Sequence, residues 1–368
     1  MGPPLAADAV ARTRLPLERA SQLPGPAFLD PAVLDWELDA VFAREWVCAG
    51  HVDRIRAPGQ FFVVEIAGES VVIVADDDGL PRAHVNTCRH RGARVVAAAE
   101  GTAKRLRCPY HAWTYNLDGS LRNAAFTAGI EGFDACDFGL HPVRLAVVEG
   151  LLLVDLSGTA PPPERHVGDL AELVARYRTA DLVRGARREY AVAANWKVIA
   201  ENYNECLHCP GVHPELNRLS HFLTGVQMEG DGAWCGGSMT LTEGAETMGT
   251  GGRANLVETR EVLYFALFPN ALVSLHPDYV MLHTLWPRAV DRTDVVCEWF
   301  FAPGTHAVDD AVDFWDQVNR EDWHVCELTQ RGMASRSYVP GRYTTQETDV
   351  HRFDVMIADR YAAALARA

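Results

Sequence analysis

Hydrophobic and polar positions change rhythm twice along this chain. Between Asp30 and Trp46 the apolar residues Val33, Leu34, Leu38, Val41 and Phe42 recur at helical spacing, with Pro31 suited to a first turn. After Trp46 that period gives way to short runs, QFFVVEI, SVVIVAD and RAHVN, separated by Gly, Asp and Pro, which predict strands. Asp118-Gly119 predicts a hairpin, and VRLAVVEGLLLVDL closes the β-rich stretch near Ser157. GTAPPPERH (158–166) reads as a boundary, because three prolines continue neither a helix nor a ladder. Beyond it the pattern predicts a helical segment at 168–178, a strand near 188–193 and a helix carrying NWKVIAENYNECLHC. Antiparallel strands follow through 225–302, then helices at about 309–331 and 346–366. The expected organisation is an N-terminal helical arm (1–45) packing on the C-terminal domain, a β-rich domain (46–157) and a mixed C-terminal domain (158–368), an α+β chain.

Composition narrows the class. The 368 residues carry 34 Lys and Arg against 49 Asp and Glu, a net charge of −15, which argues against nucleic acid and anionic membrane surfaces. No run approaches the ~18 uncharged apolar residues of a membrane span. The first residues lack the apolar stretch of a secretory signal, and Ala6 stands where a myristoylation site wants Ser or Thr, so a cytoplasmic location is expected. Nine Cys is an odd number, and a chain of this size does not need disulfide staples, so reduced thiols and metal are expected. GAETMGTGGR (244–253) lacks a following Lys-Ser/Thr and reads as a flexible loop, not a phosphate cradle.

The Cys and His residues cluster twice. NTCRHRG and RCPYHAW give Cys88-x-His90, seventeen residues, then Cys108-x2-His111. Such a set holds either one zinc or a two-iron cluster of mixed ligation. Zinc sites usually pair like ligands, whereas each loop here offers one thiolate and one imidazole. That suits a cluster whose one iron takes both thiolates and whose other takes both imidazoles. Imidazole ligation lifts the potential from about −400 mV to roughly −150 to +300 mV, within reach of a ferredoxin or flavin reductase.

The second cluster is Glu205-x2-His208-x4-His213. On a helix Glu205 and His208 share a face, and Pro210-Gly211 then ends it, so His213 returns from the next turn. Cys206 and Cys209 fall near that helix's end, where the dipole disfavours thiolate, and read as buried thiols. Further on, Phe314, Val318, Asp322, Val325 and Thr329 fall on one helical face, so Asp322 is a carboxylate on an apolar stripe. It either pairs with Arg320 or Arg331 or binds metal. His208, His213 and Asp322 together would make a 2-His-1-carboxylate triad, leaving positions open on Fe(II) for O₂ and substrate.

The first motif, with Arg91-Gly92, Pro109-Tyr110 and Trp113, resembles the Rieske [2Fe–2S] motif. Followed by Glu205-x2-His208-x4-His213 and a distant helical Asp, it makes nearly the whole chain resemble the oxygenase (α) component of Rieske non-haem iron oxygenases. The resemblance implies an all-β Rieske domain and a helix-flanked antiparallel-sheet catalytic domain of helix-grip, START-like type. It implies a [2Fe–2S] cluster on Cys88, His90, Cys108 and His111, and a mononuclear iron on His208, His213 and Asp322. It also implies a homotrimer, open to stacking into hexamers, in which Glu205 bridges His111 of one subunit to His208 of the next. Many members carry Asp at that position; Glu is similar to what the quaternary-ammonium branch carries. Nothing in the chain resembles a flavin or nicotinamide site, so NADH electrons would arrive through a separate flavin or iron–sulfur reductase, with or without a ferredoxin.

NYNECLHCPGVHP and YFALFPNALVSLHPDYVMLHTLWP resemble the monooxygenases of glycine betaine, carnitine, choline and stachydrine. A quaternary ammonium needs an aromatic cage, each ring supplying about 0.5–2 kcal/mol. Tyr203, Tyr264, Phe265, Phe268, Tyr279, Trp286 and Trp299 are the candidates, set against the plain reading that strand aromatics are core. The expected reaction is hydroxylation of an N-methyl carbon followed by loss of formaldehyde, an oxidative N-demethylation. The alternative is mono- or dioxygenation of an aromatic acid. A non-catalytic Rieske electron carrier or a zinc protein would need only the region to Ser157 and leaves the triad unexplained.

Overall fold

In the computed structural model, which describes residues 2–367, the β-rich stretch folds into ten strands in three antiparallel sheets. β1 (Val47–His51) pairs with β10 (Leu151–Asp155), which pairs with β9 (Arg144–Val148). A second sheet has β4 (Pro81–Val85), β3 (Glu69–Ala75), β2 (Gln60–Ile66) and β5 (Glu100–Thr102) in that order. The third joins β6 (Leu106–Arg107), β7 (Thr114–Tyr115) and β8 (Leu121–Asn123), with the Asp118-Gly119 turn between the last two. Gly119 sits at φ +90°, and a Cβ there would lie 2.5 Å from the His84 ring, so only glycine fits. Phe61, Val72, Val74, Leu106, Trp113 and Tyr115 form one apolar cluster around Cys88 and Cys108.

This compact unit runs from Phe42 to Ala160, past the expected 46–157 at both ends. Its far end is held because the Ala160 N–H donates to Asp155 Oδ2 at 3.0 Å and its carbonyl accepts from Arg144 at 2.5 Å. The chain up to Val41 belongs to a second unit with the residues from Pro161 onward. Within that unit Asp30 caps helix Pro31–Glu37, accepting the Ala32 N–H at 2.9 Å, and Glu37 then pairs with Lys197 at 2.6 Å. Both members of the pair are fully buried, and the Trp196 indole N–H donates to the same carboxylate at 2.9 Å.

The second unit is built on one seven-stranded antiparallel sheet. Its strands are β11 (Val183–Val192), β12 (Val226–Gln227), β13 (Trp234–Thr240), β14 (Glu261–Leu267), β15 (Ala271–Leu275), β16 (Val280–Ala289) and β17 (Arg292–Phe301). β12 to β17 meander in chain order and β11 pairs with β17 at the edge. Helix Asp309–Met333 packs against β11 and helix Trp196–Tyr203; helix Thr348–Leu365 packs against the latter and β13.

Three polar contacts fix the register of the long helix. Tyr190 donates to Asp316 at 2.7 Å, His283 meets Asn319 at 3.1 Å, and the Asn195 N–H donates to Gln330 at 2.9 Å. The buried stripe therefore runs through Trp315, Asn319, Trp323, Cys326 and Gln330. Of the face expected from sequence, Val318 is buried, Phe314, Asp322 and Val325 are half-buried, and Thr329 is exposed. Asn319 and Gln330 are polar and buried because they are hydrogen-bonded, which hid the true face from an apolar count.

Two further expectations need correction. The helix carrying Asn195 stops at Tyr203, so Glu205 and His208 lie in a turn, and Pro210 opens a separate short helix, Cys209–Val212. The 244–253 segment is not free: Arg253 is paired with Asp278 at 2.8 Å and with Asp310, and the Thr250 N–H donates to Asp310 at 2.7 Å. Among the described residues no helix is long and apolar enough to cross a membrane.

Candidate metal centres and pocket

The two Cys–His loops repeat one hydrogen-bonded turn. The Cys88 N–H donates to Ala93 O at 2.8 Å and Cys88 O accepts from Gly92 at 3.0 Å. Cys108 repeats this with Trp113 O at 2.9 Å and Ala112 N–H at 3.2 Å. Gly92 and Ala112 hold equivalent left-handed positions, at φ +76° and +59°. The thiols are buried and the imidazoles of His90 and His111 exposed, their rings 4.8 Å apart. Trp113 stacks on His90 at 4.9 Å.

Tyr115 Oη accepts the Arg89 N–H at 3.0 Å, which leaves its own proton for Cys88 Sγ at 3.2 Å. Burial pushes the Cys108 thiol pKa up, an arrangement that a thiolate-binding metal relieves. Among the described residues, no three of Cys88, His90, Cys108 and His111 gather their ligand atoms within 4.8 Å. A sulfur pair inside and a nitrogen pair outside span a two-metal cluster better than one tetrahedral ion.

His208, His213 and Asp322 do gather, their ligand atoms all lying within 4.8 Å of one another. Asp322 Oδ1 is 3.2 Å from His208 Nε2 and 2.8 Å from His213 Nε2. On the far side of each ring, His208 Nδ1 lies 2.6 Å from Glu205 and His213 Nδ1 lies 2.7 Å from Glu321. Each Nδ1 faces a carboxylate on its outer side and each Nε2 faces Asp322, where a metal cation would take the place of a shared proton. Burial lowers the His208 pKa, but Asp322 and Glu205 outweigh it and lift it to about 10. His213 is raised in the same way by Asp322 and Glu321, and the two imidazoles hold Asp322 low against burial. Two imidazoles and one carboxylate, oriented from behind, fit a ferrous ion with open positions. Glu321 escaped the sequence reading, since no spacing rule singles it out beside Asp322.

Cys206 and Cys209 are joined as a disulfide with Cα atoms 5.0 Å apart, not two buried thiols. The cause is the early helix end: the turn after Tyr203 swings Cys206 toward Cys209, with His208 inside the ring they close.

The triad opens into a pocket of about 150 Å³, lined among others by Tyr203, Tyr264, Trp315 and Phe222. Tyr203 and Tyr264 meet edge-on with centroids 6.2 Å apart, as do Tyr264 and Trp315 at 6.4 Å. Tyr203 is steadied by Ser274 at 2.9 Å, and Trp315 donates to Tyr279 at 2.7 Å. Gly237 stands opposite Tyr264 in the ladder, and a Cβ there would clash with Val226 O, so glycine lets β12 approach closely.

The other five expected aromatics do not line this pocket. Phe265 points to the opposite face of β14, against Trp234 at 5.2 Å. Phe268 sits under Arg360 at 4.5 Å, and Trp286 donates to Thr284 at 3.0 Å. Trp299 is fully buried, and Tyr279 lies behind Trp315, donating to Met248 O at 2.7 Å. Trp315 was legible in principle: it lies two helical turns before Asp322, hence on the same side of the helix.

A β-rich unit with two Cys–His turns, joined to a helix-gripped sheet with a two-His, one-Asp centre, defines an oxygenase fed by an iron–sulfur cluster. Residues 179–363 match the family described as ring hydroxylating alpha subunit (catalytic domain), and residues 45–134 match the Rieske [2Fe–2S] domain. Choline monooxygenase of Arabidopsis thaliana is 30% identical, over 94% of this chain and 84% of the relative. The glycine betaine monooxygenase oxygenase subunit of Chromohalobacter salexigens is 30% identical over 93% of this chain and 86% of its own length. A solved quaternary ammonium Rieske monooxygenase in complex with L-carnitine superposes with a TM-score of 0.83 at 25% identity, covering 97% of this chain and 99% of that one. The chain belongs to the Rieske ring-hydroxylating oxygenases, as their α, or oxygenase, component. It is an enzyme whose cofactors are a Rieske [2Fe–2S] cluster and a mononuclear iron, whose co-substrate is O₂, and whose electrons come from NADH through a separate reductase.

Proposed function

We propose that this oxygenase hydroxylates an N-methyl carbon of a small quaternary ammonium compound. The observation that carries the reading is the group of edge-to-edge rings, Tyr203, Tyr264 and Trp315, lining the pocket onto which His208, His213 and Asp322 open. Ring faces attract a trimethylammonium group without a counter-charge, and the relatives named above act on or bind such compounds. Burial raises the pKa of Tyr203 and Tyr264, so both phenols stay neutral.

His208, His213 and Asp322 would hold the mononuclear iron; Cys88 and Cys108 would hold one iron of the cluster, His90 and His111 the other. The mononuclear iron supplies O₂ activation when bound. Around it, Glu205 and Glu321 keep each imidazole in the tautomer that presents Nε2, and the rings hold the cation by its methyl groups. One O₂, one NADH and one proton convert R₃N⁺–CH₃ to R₃N⁺–CH₂OH, NAD⁺ and water. The carbinol then expels R₃N, formaldehyde and a proton.

The chain is read as a homotrimer in which the exposed His111 of one subunit meets Glu205 of the next. Glu205 Oε1 already holds His208, and each carboxylate oxygen accepts a second hydrogen bond. With a generic reductase, substrate-dependent NADH oxidation across a panel of trimethylammonium compounds and aromatic acids, with formaldehyde assayed, tests the function. Formaldehyde from a quaternary ammonium compound is expected; turnover of aromatic acids alone would refute it.

A further inference from the structure

The charged residues of the pocket point to a narrower substrate class. We propose that the pocket selects a quaternary ammonium compound that is a net cation, with no carboxylate of its own, and that Asp349 sets this choice. The inference rests on the reading above and deepens it.

The lining includes the carboxylates of Glu205, Asp322 and Asp349, and no Lys or Arg. Glu205 and Asp322 are committed to the histidines. Asp349 is not. It stands in the first turn of helix Thr348–Leu365, largely buried, and only its Oδ1 is engaged, accepting the Gly236 N–H at 3.2 Å. Arg352, one helical turn along, acts on Asp349 only through its charge and spends its hydrogen bonds elsewhere. It donates to Gly230 O at 2.5 Å and Met228 O at 3.3 Å, and lies 5.5 Å over the Trp234 ring.

A zwitterionic betaine would therefore bring its carboxylate toward Asp349, with no guanidinium fork or ammonium among the described lining residues to receive it. Like charges in a desolvated pocket reject that partner, which is specificity by exclusion. A cation whose tail is a hydroxyl, amide or alkyl group meets no such penalty, and the exposed Gln227 and Gln346 amides offer that tail neutral donors and acceptors.

The test is calorimetric titration of the iron- and cluster-loaded enzyme, without O₂, with 4-(trimethylammonio)butanoate and with its primary amide. The two probes differ in the charge of one end. The amide is expected to bind at least about tenfold more tightly. Asp349→Asn is expected to weaken the amide about tenfold and leave the butanoate unchanged or improved, with iron and cluster content unaltered. Equal or tighter binding of the butanoate by the unmodified enzyme overturns the proposal while leaving N-demethylation standing. Binding of neither probe overturns both. The unmodified enzyme decides the matter even where the variant does not fold.

Discussion

Glu205 and Glu321 hold equivalent places behind the two histidines, yet their removal should be felt differently. Among the described residues Glu321 hydrogen-bonds with His213 and Gln317, so Glu321→Ala frees a buried ring to rotate. Iron affinity is expected to fall about 10–100-fold with the cluster's absorption spectrum unchanged, read by iron titration. Glu205→Gln keeps a hydrogen-bonding side chain, so both metals should stay bound while oxygenation of a pre-reduced enzyme slows; unchanged single-turnover rates would sink the bridging role. In the pocket, Tyr264→Leu is expected to raise KM for a quaternary ammonium substrate about 2- to 30-fold, while Tyr264→Phe leaves it nearly unchanged, because the ring face and not the hydroxyl binds. Residues of this kind divide sharply in legibility. Cys88, His90, Cys108 and His111 stand out in the sequence because each loop is local and its chemistry is dense. The cage could not, because period-2 alternation along β14 sends Tyr264 to the pocket and Phe265 away from it, and sequence alone does not say which face is which.

At the level of elements, helices Trp196–Tyr203 and Thr348–Leu365 meet through a pair of carboxyl groups, Glu201 and Asp354. Burial raises both, and the Asp354 charge adds to it at Glu201, which lies well above its usual value, while hydrogen bonds from Tyr343 and Glu201 offset part of the rise at Asp354; the folded state therefore keeps protons that the unfolded chain gives up. Tyr343 donates to Asp354 at 2.6 Å, and Lys197, the cation nearby, is already paired with Glu37. A raised carboxyl pKa stabilises the fold at low pH, and that contribution is lost as pH rises through the folded value, about 6 for Asp354. Glu201→Gln supplies a permanently neutral partner. Its melting temperature should exceed the unmodified enzyme's at pH 8, and the gain should vanish near pH 4. Strand and helix order was readable from periodicity, but helix ends were not. Helix Trp196–Tyr203 stops where its sequence pattern runs on, and that one early stop both moves Glu205 into a turn and closes the Cys206–Cys209 bridge.

At the scale of the whole molecule, buried Cys88 and Cys108 and exposed His90 and His111 orient the electron-donating centre toward its surroundings. Electron transfer between subunits predicts complementation. Cys108→Ser, which loses the cluster, and Asp322→Ala, which loses the iron, should each be inactive alone. Refolded or co-expressed in equal amounts they should recover about one quarter of the unmodified activity, because a quarter of neighbouring pairs join an intact cluster to an intact iron. No recovery would place transfer within one subunit. Assembly of this kind is invisible to periodicity and came only from resemblance. The long helix, meanwhile, is pinned at Asp316, Asn319 and Gln330, so Asp322 and Trp315 cannot slide by a turn without breaking all three contacts. The exposed Val226, Gln227 and Gln346 line the same pocket from other elements, so substitutions there reshape its rim without moving Asp322 or Trp315.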